Sequence, residues 1–152
     1  MRLYQWDKSI NLNDSVMQHA GCLFRSLQAV AEEYMGIDLL ADEINQARKD
    51  LIQNKSIRED MYILKIEPVI EDALNRLIKR QGYNRHVTVK IDWNNSNTEA
   101  RYSIVEGRTL QNNTTHFKLG DKFGYVIWNP APETQTHNDK IVYMINFQED
   151  QL

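Results

Sequence analysis

The apolar residues of this chain repeat every three to four positions through its first half and every second position through much of the remainder. The first period belongs to helical faces and the second to half-buried strands. From Cys22 onward, Leu23, Leu27, Val30, Ala31 and Tyr34 form one stripe that Gly36 closes, predicting a helix over about 22–35. Ile44, Ala47, Leu51 and Ile52 predict a second over about 41–54, with Asp42 and Glu43 well placed in its first turn although no good capping residue precedes them. A third begins near Pro68, a residue suited to a first helical position, and continues through Ile70, Ala73, Leu74, Leu77 and Ile78 to Gly82. Alternating or β-branched runs at 86–91, 101–105, 114–119, 125–128 and 141–147 then predict strands, with a polar turn over 92–98 and a short hairpin turning at 120–124. Helices first and mostly antiparallel strands afterwards specify an α+β domain, its N-terminal helices packed on the sheet.

With 152 residues, the chain can bury one substantial core and is too short to require two, so a single domain over 1–152 is expected. Its 41% hydrophobic and 26% charged content with a net charge of −3 lacks the basic excess that a phosphate backbone demands, which argues against a nucleic-acid partner. No apolar run reaches the roughly 18–20 residues of a membrane span. The opening Met-Arg-Leu-Tyr-Gln-Trp-Asp lacks the apolar stretch of a signal peptide, so a cytoplasmic location is expected. Cys22 is the only cysteine, which forbids an internal disulfide and leaves a thiol available in a reducing compartment. The four histidines are scattered and no Cys-x-x-Cys or His-Glu-x-x-His spacing occurs, so neither a metal nor another cofactor is expected.

Cys22 stands at the first turn of the helix over 22–35, where unpaired N–H groups and the partial positive charge of a helix N-terminus favour the thiolate. Downstream come His116, on a strand, and Asn129, in Trp-Asn-Pro. An imidazole near the sulfur can take and return a proton, and a side-chain amide can fix the ring's orientation. The Cys22 N–H and the Gln18 side chain are the candidate donors to a developing oxyanion. The hairpin joining His116 to Asn129 offers a way for two strands to bring ring and amide within reach.

Each residue taken singly has a plainer explanation. A free cysteine is more often a small core residue, a strand histidine is commonly ordinary, and Asn before Pro is a frequent turn pair. The weight lies in the combination of chain order, helix-terminal thiol and strand-borne imidazole. His86 and His137 rank below His116, because His86 opens a strand and His137 falls in the polar stretch 133–140. Trp128 is expected to pack beside Asn129 and shield its contact with His116.

The segment Gln-His-Ala-Gly-Cys-Leu-Phe-Arg-Ser-Leu from Gln18 to Leu27 resembles the nucleophile segment of papain-like cysteine peptidases, especially the compact bacterial family that removes bacteriocin leader peptides. His116-Phe117 and Asn129-Pro130 resemble that family's distal motif, with Asn where the bacterial family has Asp. The resemblance covers these two regions and the order of elements, with Gln18 closer to the cysteine than the usual oxyanion glutamine. It implies a papain-like fold and a cysteine-dependent amide hydrolase with Cys22, His116 and Asn129 as triad and Gln18 at the oxyanion. A peptide, a protein or a peptidoglycan cross-bridge would be the substrate. The chain also resembles small uncharacterised phage- and prophage-encoded proteins that share a Gly-Cys-Leu-Phe-Arg-like segment. The alternative is a non-catalytic peptide- or protein-binding module on the same framework.

Overall fold

A computed structural model describes residues 1–11, 15–94 and 99–150, with their side chains except those of residues 11, 15, 18 and 19. The helical half contains α1 (Lys8–Asn11), α2 (Ser15–Ala20), α3 (Cys22–Met35), α4 (Ala41–Gln53) and α5 (Ile66–Gln81). The strands are β1 (His86–Asp92), β2 (Tyr102–Thr109), β3 (Thr115–Asp121), β4 (Val126–Trp128) and β5 (Thr136–Asp150). Together they make one antiparallel sheet in the order β1-β5-β2-β3-β4, and the domain is α+β. Among the described residues, no helix is long and apolar enough to cross a membrane.

The three long helices form where the apolar stripes place them. α3 and α5 both stop at glycines in the left-handed conformation, Gly36 and Gly82, where a Cβ would be strained. The start of α5 differs from expectation: it begins two residues before Pro68, which is tolerated because no N–H in the first turn has an intrahelical acceptor. Glu43 supplies the capping that the sequence before α4 lacks, its carboxylate accepting the Leu40 N–H at 2.8 Å. α1 and α2 lie in the segment before Cys22, where no helix was expected.

β5 also exceeds expectation, running through 136–140 as well as the apolar 141–147. Those first residues carry no alternating pattern, and pairing with β2 makes them a strand, as in His137 opposite Arg108. The polar turn expected after β1 includes residues 95–98, which lie outside the described residues.

One face of the sheet carries Val87, Val89, Ile104, Leu119, Tyr143 and Ile145, and it is covered by Leu27, Val30, Leu74 and Leu77 of α3 and α5. The N-terminal segment is tied to this layer by charge. Arg25 of α3 is fully buried and donates from Nε to the Leu3 carbonyl at 3.0 Å, from Nη1 to Gln28 Oε1 at 2.9 Å and from Nη2 to Glu32 Oε1 at 3.0 Å. Glu32, also buried, accepts the Leu39 N–H on its other oxygen at 2.8 Å. The Trp128 ring lies 5.4 Å from the Arg25 guanidinium and 5.3 Å from that of Arg2, and Tyr4 stacks on it at 5.6 Å. Trp128 is thus half-buried, held by two cations and a tyrosine.

Gly21 joins α2 to α3 under close packing. A Cβ there would stand 2.5 Å from the Met17 carbonyl oxygen and 2.8 Å from its sulfur.

Removing one partner of a buried ion pair leaves an uncompensated charge, at a cost of about 3–5 kcal/mol. Arg25→Met, which leaves Glu32 only Arg2 at 3.7 Å as a cation, is expected to lower the unfolding free energy toward that amount in urea denaturation. A loss under about 1 kcal/mol would show that the pair does not hold the N-terminal segment.

Candidate active site

β3 and β4 pair at Leu119 with Trp128, and β4 reaches no further along β3 toward His116. Phe117 is thus left with an open outer edge, and α3 approaches it. Ser26 Oγ donates to the Phe117 carbonyl at 3.3 Å, and one turn earlier the Cys22 thiol faces the Phe117 N–H. The helix docks on the strand where a longer β4 would otherwise compete for the same groups, and this brings the thiol next to the residue that follows His116. Cys22 is half-buried, and it lines with His116 a cleft of about 490 Å³.

His116 is buried on the opposite sheet face from Leu119, and its Nε2 lies 2.7 Å from Asn129 Oδ1. The surroundings of Asn129 fix which atom donates. Its Oδ1 also accepts the Ala131 N–H at 3.0 Å, and its Nδ2 donates to the Thr134 carbonyl at 3.3 Å, so the amide cannot be turned over without losing both. Nε2 must therefore carry the hydrogen, and in the neutral ring Nδ1 is left as the base.

The electrostatics differ from the sequence expectation of a ready thiolate. Burial pushes the Cys22 thiol above its usual value, outweighing the N–H groups of Phe117, Leu23 and Cys22 that favour the anion. Burial also pushes His116 below the usual imidazole value; the Asn129 hydrogen bond opposes this, the Lys118 charge adds to it, and the Asp139 charge opposes it. At neutral pH the two groups rest as thiol and neutral imidazole rather than as an ion pair.

The structure thus brings Cys22, His116 and Asn129 to one place. The Gln18 side chain lies outside the described residues, so its expected contact with the oxyanion has no geometry here. His86 is exposed and 3.6 Å from Asp150 at the far edge of the sheet, and His137 is exposed on β5. Gln5 is a cleft residue that the sequence reading missed: it is buried, lines the cleft with Cys22, and its backbone N–H donates to the Pro130 carbonyl at 3.0 Å. No periodicity or motif marks it, because it reaches the cleft through the tethered N-terminal segment. Among the described residues no three His, Cys, Asp or Glu side chains gather as a metal site.

Comparison with protein-family models, with curated proteins and with solved structures gives no match in any of the three.

The depressed His116 makes stability depend on pH. Above the ordinary imidazole value of 6.5 the ring is neutral in folded and unfolded chains alike, and it contributes nothing. As the pH falls below that value the unfolded chain takes up the proton first, and the folded state loses stability until its own lower value is passed. Melting temperatures recorded between about pH 5 and 7.5 should fall on the acid side, with a shallower slope in His116→Gln. Equal slopes in the two proteins would contradict a depressed imidazole.

Proposed function

We propose that this chain is a cysteine-dependent amide hydrolase built on a papain-like framework, with Cys22 as nucleophile, His116 as base and acid, and Asn129 as the group that orients His116. The observation that carries this reading is the His116 to Asn129 hydrogen bond, with both ends of the amide fixed, in a cleft that also holds the helix-terminal thiol.

In the first step the Cys22 sulfur attacks the substrate carbonyl carbon while its proton passes to His116 Nδ1. The carbonyl oxygen becomes an oxyanion, met by the Cys22 N–H and by a side-chain amide, for which buried Gln5 is placed on the cleft and Gln18 is the sequence candidate. His116 returns the proton to the leaving nitrogen as the carbon–nitrogen bond breaks, and a thioester remains on Cys22. Water, losing a proton to His116, then cleaves the thioester to a carboxylic acid and restores the thiol. Because thiol and imidazole rest neutral, proton transfer accompanies attack instead of preceding it. Peptides, proteins and peptidoglycan cross-bridges all carry the required amide, and a phage setting fits the likeness in the nucleophile segment.

A second reading, a non-catalytic module that binds extended peptides in the same cleft, is favoured by the raised thiol. Labelling with a dipeptidyl vinyl sulfone, followed by mass mapping of the modified residue, separates the two. For a hydrolase, modification falls on Cys22 and is lost in Cys22→Ala with an unchanged melting curve, and His116→Ala slows it on the order of a hundredfold. Its rate should climb with pH toward and beyond the usual thiol value of 9.0, without an acid-side plateau. Equal labelling of wild type and His116→Ala would favour the binding module.

A further inference from the structure

The face of β3 that carries His116 also carries a charged cluster with no part in the scheme above. On β2, Glu106 pairs with Lys140 and Arg108 with His137, so the single residue Gly107 stands opposite both Asn138 and Asp139 of β5. This is a bulge, and Asn138 takes a positive φ of 56° within it. A bulge bends its strand and re-aims a side chain. The side chain re-aimed here is Asp139. A Cβ on Gly107 would lie 2.1 Å from Asp139 Oδ1 and 2.7 Å from Thr136 Oγ1. Gly107 is the register partner of His116, and opposed residues of an antiparallel pair point to the same face. The carboxylate therefore fills the space beside the imidazole that a side chain at 107 would take.

Lys118, two residues beyond His116 on the same face, is buried at 6% exposure. Its ammonium donates to Asp139 Oδ2 at 2.6 Å and to Thr136 Oγ1 at 2.5 Å, and the Thr136 hydroxyl donates to Asp139 Oδ1 at 2.7 Å. Packing alone does not call for a lysine here, since its register partner Val105 is apolar and fully buried. The ionisable groups around the imidazole are then Cys22 at the start of α3, Glu133 on the cleft wall, Lys118 on β3 and Asp139 on the β5 bulge.

We propose that Lys118 is a positioning residue for His116: by holding Asp139 in an ion pair beside the ring, it keeps that carboxylate from pairing with the imidazole and preserves His116 as a neutral base. Without Lys118, an unpaired carboxylate beside the ring would draw a proton onto it, leaving an imidazolium that cannot accept one from the thiol. The consequence for turnover rests on the hydrolase reading, whereas the effect on His116 protonation does not.

The test is an NMR titration of the His116 ring, assigned by the signal lost in His116→Gln. Lys118→Met is expected to raise the titration midpoint by about one pH unit or more, the size of effect an opposite charge within a few ångströms exerts. Adding Asp139→Asn to that variant should bring the midpoint back, and Lys118→Arg should leave it near wild type. Vinyl sulfone labelling of Cys22 at about pH 6 should fall severalfold in Lys118→Met and recover in the double variant, because a smaller share of the ring is neutral once its midpoint rises. If Lys118→Met does not fold, Asp139→Asn serves alone, since its side chain is 32% exposed and its loss should lower the midpoint. An unmoved midpoint in either folded variant overturns the proposal. A moved midpoint with unchanged labelling upholds the ion-pair role and overturns the reading of His116 as base.

Discussion

The geometry of the cleft depends on a buried guanidinium. Arg25 reaches from α3 to the Leu3 carbonyl, to Glu32 and to the face of Trp128, and so binds the N-terminal segment, the central helix and the end of β4 into one unit. An apolar residue at 25 would leave buried Glu32 without its nearest cation, and it would not fix the height of Trp128 or the path of residues 2–5. Two of the cleft's parts follow from that fixation. Asn129 directly continues the chain from Trp128, and Gln5 enters the cleft because Arg25 holds the Leu3 carbonyl before it and its own N–H donates to the Pro130 carbonyl. The charges cost desolvation energy, and the return is an orientation that dispersion contacts alone leave loose.

Around this anchor, thiol and imidazole are placed by an interruption in the sheet. β4 is three residues long, so the Phe117 backbone has no strand partner on its outer edge, and the first turn of α3 takes that role. A helix N-terminus set against an open strand edge gives the sulfur N–H groups from two elements at once. It also removes water from the sulfur, and in this balance desolvation outweighs the dipole. The resulting neutral pair makes Asn129 more important, because only a fixed tautomer guarantees that the free nitrogen of the ring is Nδ1.

How much of this was legible depended on whether the controlling interaction is local. α3, α4 and α5 follow from stripes of Leu, Ile, Val and Ala whose period needs nothing beyond the chain itself, and the hairpin joining His116 to Asn129 follows from alternation and a glycine-bounded turn. The early part of β5 was not legible, because residues 136–140 are polar and become strand through pairing with β2. Lys118 and Asp139 were not legible, since nothing in the sequence says that a bulge will turn one toward the other across Gly107. The thiol's position at a helix start was visible, but its burial was not, and burial decides its protonation. Gln5 carries no pattern at all; only the fold brings it to Cys22.

The cleft is assembled from two kinds of material. Cys22 and His116 sit on regular elements and Asn129 is locked by its own hydrogen bonds, whereas Leu110, Gln111, Asn112, Glu133 and Gln135 on the walls belong to the connections after β2 and β4. Both connections leave the same end of the sheet. Exchanges at these wall side chains, away from the Ala131 N–H and the Thr134 carbonyl that hold Asn129, can reshape what the protein accepts while the reacting atoms keep their places, so divergence of substrate preference is uncoupled from preservation of the chemistry.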